Sequence, residues 1–315
     1  MTRSTRARAA FAMAAATSIL LAACTGSGPG GSPGATGQPD GDGIAHPTGA
    51  GDLVFSIGSE GGFVPVESIF TGLPMITIAG DGTVITQGAQ IDIFPGPALP
   101  AVMSRRLSEA GLQLVLERVA QTGFFVESAT FNEEAMAIDG TMTVFTMHAD
   151  DREVVVKVGA LGSVLEPDLA PPGLPERERQ AHVALAPLAE QLNAIDQLVP
   201  ASAWEETQWH PHQAEALRLL VTNTDDEPPD DSGIPRPEVA WPTDDDPATF
   251  GEPFPLLDPA RCGVVSGDDA AAWYEALAQA NQLTRFTSGE HRYSVMVRPV
   301  LPGDEAACVM GQPVG

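Results

Sequence analysis

Lysine is nearly absent: Lys157 is the only one in 315 residues. A phosphate-cradling G-x-x-x-x-G-K-[ST] loop needs a glycine directly ahead of its lysine, and the residues before Lys157 are Val154-Val155-Val156. That loop is excluded. Val154, Val156 and Val158 alternate with Lys157 at the period of a strand. Its amine is therefore expected to point into water, not into the dry pocket a Schiff-base lysine needs. Positive charge is short altogether, with 16 Lys and Arg against 42 Asp and Glu and a formal net charge of −26. Affinity for nucleic acid and for anionic headgroups comes from Lys and Arg neutralising phosphate, so this surface repels both. Nucleic acid is excluded as a partner.

Catalytic signatures are missing as well. The chain has no H-E-x-x-H and no C-x-x-C. Gly26, Gly28 and Gly31 satisfy G-x-G-x-x-G, and Gly30-Gly31-Ser32-Pro33-Gly34 satisfies G-x-S-x-G. A dinucleotide loop and a nucleophile elbow both require a strand before and a helix after. A stretch rich in Gly, Pro and Ser offers neither. No cofactor is expected, and paired carboxylates or a dispersed triad cannot be singled out among so many acids.

What is present begins with an address. Arg3, Arg6 and Arg8 precede an apolar run from Ala9 to Ala23, the charged-then-apolar order of an export signal. The run is shorter than the roughly 20 residues of a comfortable membrane span. It ends in Leu21-Ala22-Ala23-Cys24, which resembles the bacterial lipobox. The resemblance covers residues 1 to 24 and implies cleavage between Ala23 and Cys24. It also implies a diacylglyceryl thioether on Cys24, which becomes the new N-terminus. One acyl chain holds a protein marginally; two, at about 0.8 kcal/mol per buried methylene, hold it stably. The alternative is a plain secretory signal with an adventitious cysteine. Gly26 to Gly51 then reads as a flexible tether, because its composition cannot bury enough apolar surface to fold. The expected place is the outer face of the cell membrane, reached through the lipid.

Cysteine is scarce, at three. With Cys24 taken by the anchor, Cys262 and Cys308 remain as a pair in an exported chain, where disulfides persist. A metal site or two free thiols are the alternatives, and no nearby His or second cysteine supports zinc.

Periodicity predicts an α+β fold: an antiparallel sheet of hairpins with helices on one face, followed by a smaller disulfide-braced α+β unit. The expected order is signal 1–23, lipidated Cys24 and tether 24–51, a first domain 52–200, and a second unit 201–315 with an acidic, Pro-rich loop at 222–259. A strand over Leu53–Ile57 stops at Gly58. Met75–Ile78 and Thr83–Thr86 form a hairpin across Gly80-Asp81-Gly82. Ser108 caps a helix whose inward face is Leu112, Val115, Leu116 and Val119, with Leu107 stapled to Leu112 and Gly123 as its stop. Thr141–Met147 and Glu153–Val158 form a second hairpin. A long helix spans about Glu176 to Val199, kinked or restarted at Pro187. Glu215–Val221 reads as either a helix end or a strand. Ser266-Gly267-Asp268-Asp269 is a capping box opening a helix with Trp273 and Leu277 inward, and Leu283–Thr287 pairs with His291–Val297.

Gly61-Gly62-Phe63, Gly80-Asp81-Gly82, Gly123-Phe124-Phe125 and Arg298-Pro299-Val300-Leu301-Pro302-Gly303 together give the body a resemblance to a type of uncharacterised actinobacterial secreted lipoprotein. That resemblance implies no activity. The best metal candidates are His210 and His212, which face the same way on an extended segment, with Glu215 as a third ligand. The bland reading is an exposed turn flanked by Trp204 and Trp209. Asp225-Asp226-Glu227, Asp230-Asp231 and Asp244-Asp245-Asp246 offer oxygens to calcium but lack its ordered loop spacing. The expectation is a non-catalytic module binding a ligand or envelope partner; an envelope hydrolase with dispersed catalytic residues is the alternative. Cys24→Ala is expected to move the protein from the membrane pellet to the detergent-free soluble fraction. Continued sedimentation with membranes would refute the anchor.

Overall fold

Asp-Gly in a tight turn sets the register of the first sheet. Gly82 takes a φ of 83°, which a side chain resists, and its would-be Cβ meets the Leu107 carbonyl oxygen at 2.5 Å. The computed structural model describes residues 36–37, 43–134, 140–163, 173–228, 232–304 and 308. The lipobox, Ala23, Cys24 and both glycine-motif hits lie outside the described residues.

A two-residue pair, β1 (Thr36–Gly37) with β2 (His46–Pro47), precedes the body. The first sheet is built from β3 (Leu53–Gly61), β4 (Ile76–Ala79), β5 (Thr83–Gln87), β6 (Val102–Arg106), β7 (Ala129–Phe131), β8 (Thr141–Ala149), β9 (Arg152–Gly159) and β10 (His210–Pro211). Its spatial order is β10-β6-β5-β4-β3-β8-β9-β7. Every neighbouring pair is antiparallel except β7 with β9. α1 (Val66–Thr71) bridges β3 and β4, and α2 (Glu109–Ala120) follows β6. α3 (Glu176–Asn193) and α4 (Ile195–Leu198) come after β9. α2 and α3 cover one face, burying Leu112, Val115, Leu116, Val119, Leu185, Leu188 and Leu192 against Phe55, Ile57, Phe145 and Val156. Each such side chain removed from water contributes about 1.5–3 kcal/mol. Ser108 caps α2 as expected, its Oγ accepting from Gly111 N at 3.2 Å.

The second sheet has the order β12-β15-β16-β11-β14-β13. Its strands are β11 (Ala216–Asn223), β12 (Glu238–Ala240), β13 (Glu252–Pro253), β14 (Arg261–Ser266), β15 (Arg285–Ser288) and β16 (His291–Pro299), and α5 (Gly267–Leu277) packs on it. The fold is α+β, as the periodicity implies, with Cys262–Cys308 bonded at a Cα separation of 5.7 Å. In the chain-entropy account, closing a loop of 46 residues stabilises by about 4 kcal/mol.

Several elements differ from expectation, each for a local reason. β3 runs through Gly58, which pairs with Val144 and keeps the ladder intact without a side chain. α3 passes Pro187 unbroken and ends at Ala194. The carbonyl orphaned by the proline belongs to the turn at Val183, which is exposed, so water can take it. Glu215–Val221 resolves as strand β11. Leu217, Leu219 and Val221 face Trp273, while Leu220 faces Phe70, Phe254 and Cys262, so a buried leucine stands on each side. Ser266 does open α5, but its side chain makes no capping bond. The acidic 222–259 stretch carries two short strands and buries Trp241, Phe250 and Phe254. Lys157 does not simply enter water: its Nζ lies 2.7 Å from Glu60 Oε1 across the open sheet face.

The expected domain edges shift too. Part of the supposed tether is folded, because His46 is buried and its Nε2 bonds Glu109 Oε1 at 3.1 Å. Beyond Pro200 the chain stays with the first sheet: Ser108 N donates to Ala203 O, Glu205 N to Arg106 O and His212 N to Val102 O. The crossing to the second sheet falls between His212 and Ala216.

A buried arginine links the two sheets. Arg298, at the end of β16, is 7% exposed. Its Nη1 and Nη2 donate to Asp304 Oδ2 and Oδ1 at 2.6 and 2.8 Å, and its Nε donates to Gly72 O at 2.8 Å. Leu301 N donates to the same carboxylate at 2.7 Å, which sets Leu301 against Ile85 and Val102 on the first sheet and Leu73 in the turn before β4. Replacing Arg298 by Met leaves the Asp304 carboxylate, only 16% exposed, without its cation. Urea unfolding is expected to show a loss of about 3–5 kcal/mol; a loss under 1 kcal/mol would mean that the pair behaves as an exposed one.

Candidate functional site

The break after α3 creates the site. Once the helix ends at Ala194, Asp196 begins a new turn and projects beside β6 and the segment leading into β10. Arg105, on β6, donates from Nη1 to Asp196 Oδ1 at 2.7 Å and from Nε to Glu206 O at 2.9 Å. Its guanidinium lies 4.1 Å from the centre of the Trp204 ring. A cation over an indole face gains about 0.5–2 kcal/mol depending on desolvation. The other oxygen, Asp196 Oδ2, accepts from Trp209 Nε1 at 2.8 Å. Trp209 in turn meets Trp204 edge-on, with ring centres 5.7 Å apart. Two indoles, a guanidinium and a carboxylate therefore hold one another in a closed chain.

Beside them opens a cleft of about 340 Å³, lined by Thr86, Gln87, Met103, Asn193, Asp196, Gln197 and Trp209 among others. Gln87 donates its amide hydrogens to Leu73 O and Pro74 O, and its Oε1 accepts no hydrogen bond among the described residues. A second, larger hollow of about 460 Å³ is walled by Gln90–Phe94, Gly96 and Gln282. Its wall is one loop pinned through Gly96 N to Gln282 Oε1, whereas the Trp209 cleft draws on two strands, the α3–α4 break and a locked aromatic pair.

The sequence candidates fall as follows. His210 is exposed on β10, opposite Ser104, and His212 is half-buried, where burial pulls its imidazole pKa down. Glu215 is exposed. Among the described residues no group of three or more His, Cys, Asp or Glu could hold a metal ion. Three acidic residues of the calcium candidate, Asp225, Glu227 and Asp246, are tied to other partners. Asp225 accepts from His291 Nδ1 at 2.6 Å and from Arg292 N at 2.9 Å, which lowers its pKa to about 2. Glu227 pairs with Arg236 and Arg285, and Asp246 caps Ala248 N. Asp230 and Asp231 lie outside the described residues. His210 and Pro211 are exposed, as the plain turn reading has it, and the flanking Trp204 is buried.

Arg105, Asp196 and Trp209 were not marked by any motif. The available signal was two of the four tryptophans within one short polar stretch, 204–209, which is costly to leave in water. No family model, curated protein or solved structure matches the chain.

His182 lies outside the cleft and is fully buried on α3, with neither ring nitrogen hydrogen-bonded among the described residues. Burial lowers its pKa below the usual 6.5. The unfolded chain thus takes up a proton near pH 6.5 that the folded chain resists, so stability is full above that pH and falls as acid is added. His291 works the other way: its pKa is raised by Asp225, and its contribution is lost as pH rises. Unfolding free energy measured at pH 7.5 and 5.5 is expected to drop on acidification in the wild type, and to drop less in His182→Leu. Equal drops would remove His182 as the cause.

Proposed function

We propose that this chain is a lipid-anchored envelope protein on the outer face of the cell membrane, acting as a non-catalytic ligand-binding module through the Trp209 cleft. The observation that carries the reading is the preorganised wall of that cleft. Asp196 spends both oxygens on Arg105 and Trp209, fixing an indole at the rim before any ligand arrives. Rigid aromatic surface ringed by a few polar groups is what small-ligand recognition requires.

A hydrolase reading draws on one feature, the Asp225–His291 pair. Its Nδ1-to-carboxylate bond is the arrangement that orients a general base. The imidazole, however, is 63% exposed, so water and not a positioned hydroxyl surrounds its free edge. A photocrosslinking residue at position 197 of the membrane-anchored protein is expected to capture an envelope component that the same residue at exposed Val183 does not. No difference between the two positions would remove the cleft as the binding site. Ester or amide turnover abolished by His291→Gln would instead favour the hydrolase.

A further inference from the structure

We infer that the Trp209 cleft takes a neutral saccharide; this rests on the binding function proposed above and names its ligand class. The argument starts from charge. The ionised groups at the cleft already satisfy each other. Arg105 is engaged by Asp196, by Glu206 O and by the Trp204 face, and both Asp196 oxygens are occupied. A phosphate or carboxylate finds no free cation there and must approach a protein of net charge −26. A cationic ligand meets a carboxylate that Arg105 already pairs with at 2.7 Å. The cleft therefore favours an uncharged ligand.

Polarity narrows the class further. The Thr86 hydroxyl and the Asn193 and Gln197 amides line the cleft without side-chain hydrogen bonds among the described residues, and Gln87 adds a carbonyl oxygen. Hydroxyls and amides each donate and accept, so the rim suits a ligand whose groups do both. A purely apolar ligand would leave these groups dry and unpaired, at a cost of about 1–3 kcal/mol each. Against this polar rim stands the half-buried Trp209 ring, with Met103 and Ile195 beside it. A sugar ring combines an apolar face of C–H groups with a rim of hydroxyls. It can lie on the indole while its edge reaches the amides. The indole cannot swing away to meet a different shape, since its N–H is tied to Asp196.

The test uses the mature, lipidated protein in neutral detergent micelles, titrated by calorimetry with N-acetylchitotetraose, maltotetraose and adenosine. Saturable binding of one of the two neutral tetrasaccharides is expected. Trp209→Ala and the Asn193→Ala/Gln197→Ala pair should each weaken it by about tenfold or more, while Phe63→Ala, on a distant exposed loop, leaves it unchanged. Absence of saccharide binding at millimolar concentration, with capture at position 197 retained, overturns the saccharide class and leaves the binding function standing. Loss of both signals overturns both. Tighter binding of adenosine than of either saccharide, with the same dependence on Trp209, also overturns the saccharide class.

Discussion

A guanidinium cannot be buried unless its fork is satisfied, and at Arg298 that requirement ties the two sheets together. The donors reach a carboxylate six residues later and a carbonyl at Gly72, in the turn between α1 and β4. Because Asp304 must stand where the fork can reach it, the chain between them folds back over the first sheet. Leu301 is carried onto Ile85 and Val102, and Gly303, at a φ of 86°, fits against Leu53 where a Cβ would sit 2.6 Å from a side-chain carbon. The disulfide follows just beyond and returns the chain to β14. Charge, packing and covalent closure thus act within one short stretch.

The Trp209 cleft depends on a second such constraint. Had α3 continued in register to Val199, Asp196 would have stayed on a helical surface instead of beginning a separate turn at Ala194. The strand edge at β10 has the complementary part. Its pairing with β6 brings the 204–209 segment alongside Arg105, so the aromatic pair and the cation meet. The site is a product of where a helix stops and where an edge strand docks.

These two events explain what was readable in the residues and what was not. Hairpins announced themselves, because Gly80-Asp81-Gly82 and Ala149-Asp150-Asp151 carry the positive-φ positions that tight turns demand. The capped helix at Ser108 was equally plain. At Pro187 the helix is continuous, its freed carbonyl at exposed Val183 open to water, and the restart comes instead at Ala194. The stretch 215–221 stayed ambiguous because β11 is buried on both faces, so the alternation that marks a strand was erased at Leu220. The cleft was not legible for a different reason. Arg105, Asp196 and Trp209 are scattered along the chain, and only tertiary pairing makes them neighbours. The cysteine pair lay within reach, because compartment and number together left few other roles for it.

The two-sided burial of β11 has one further consequence. A strand with one wet face resists sliding, because a shift of a single position turns its oily side chains into solvent. β11 has only part of that protection: Leu219 and Leu220 could exchange faces and each would still find an apolar neighbour, and only Arg218 and Thr222 would be turned wrongly, toward the Trp273 core. The cystine beside Leu220 adds a fixed peg, because Cys262 sits opposite that residue on β14. In a reduced chain the central strand would lose its frame of reference, and the hazard would be a misaligned sheet as much as a weaker one.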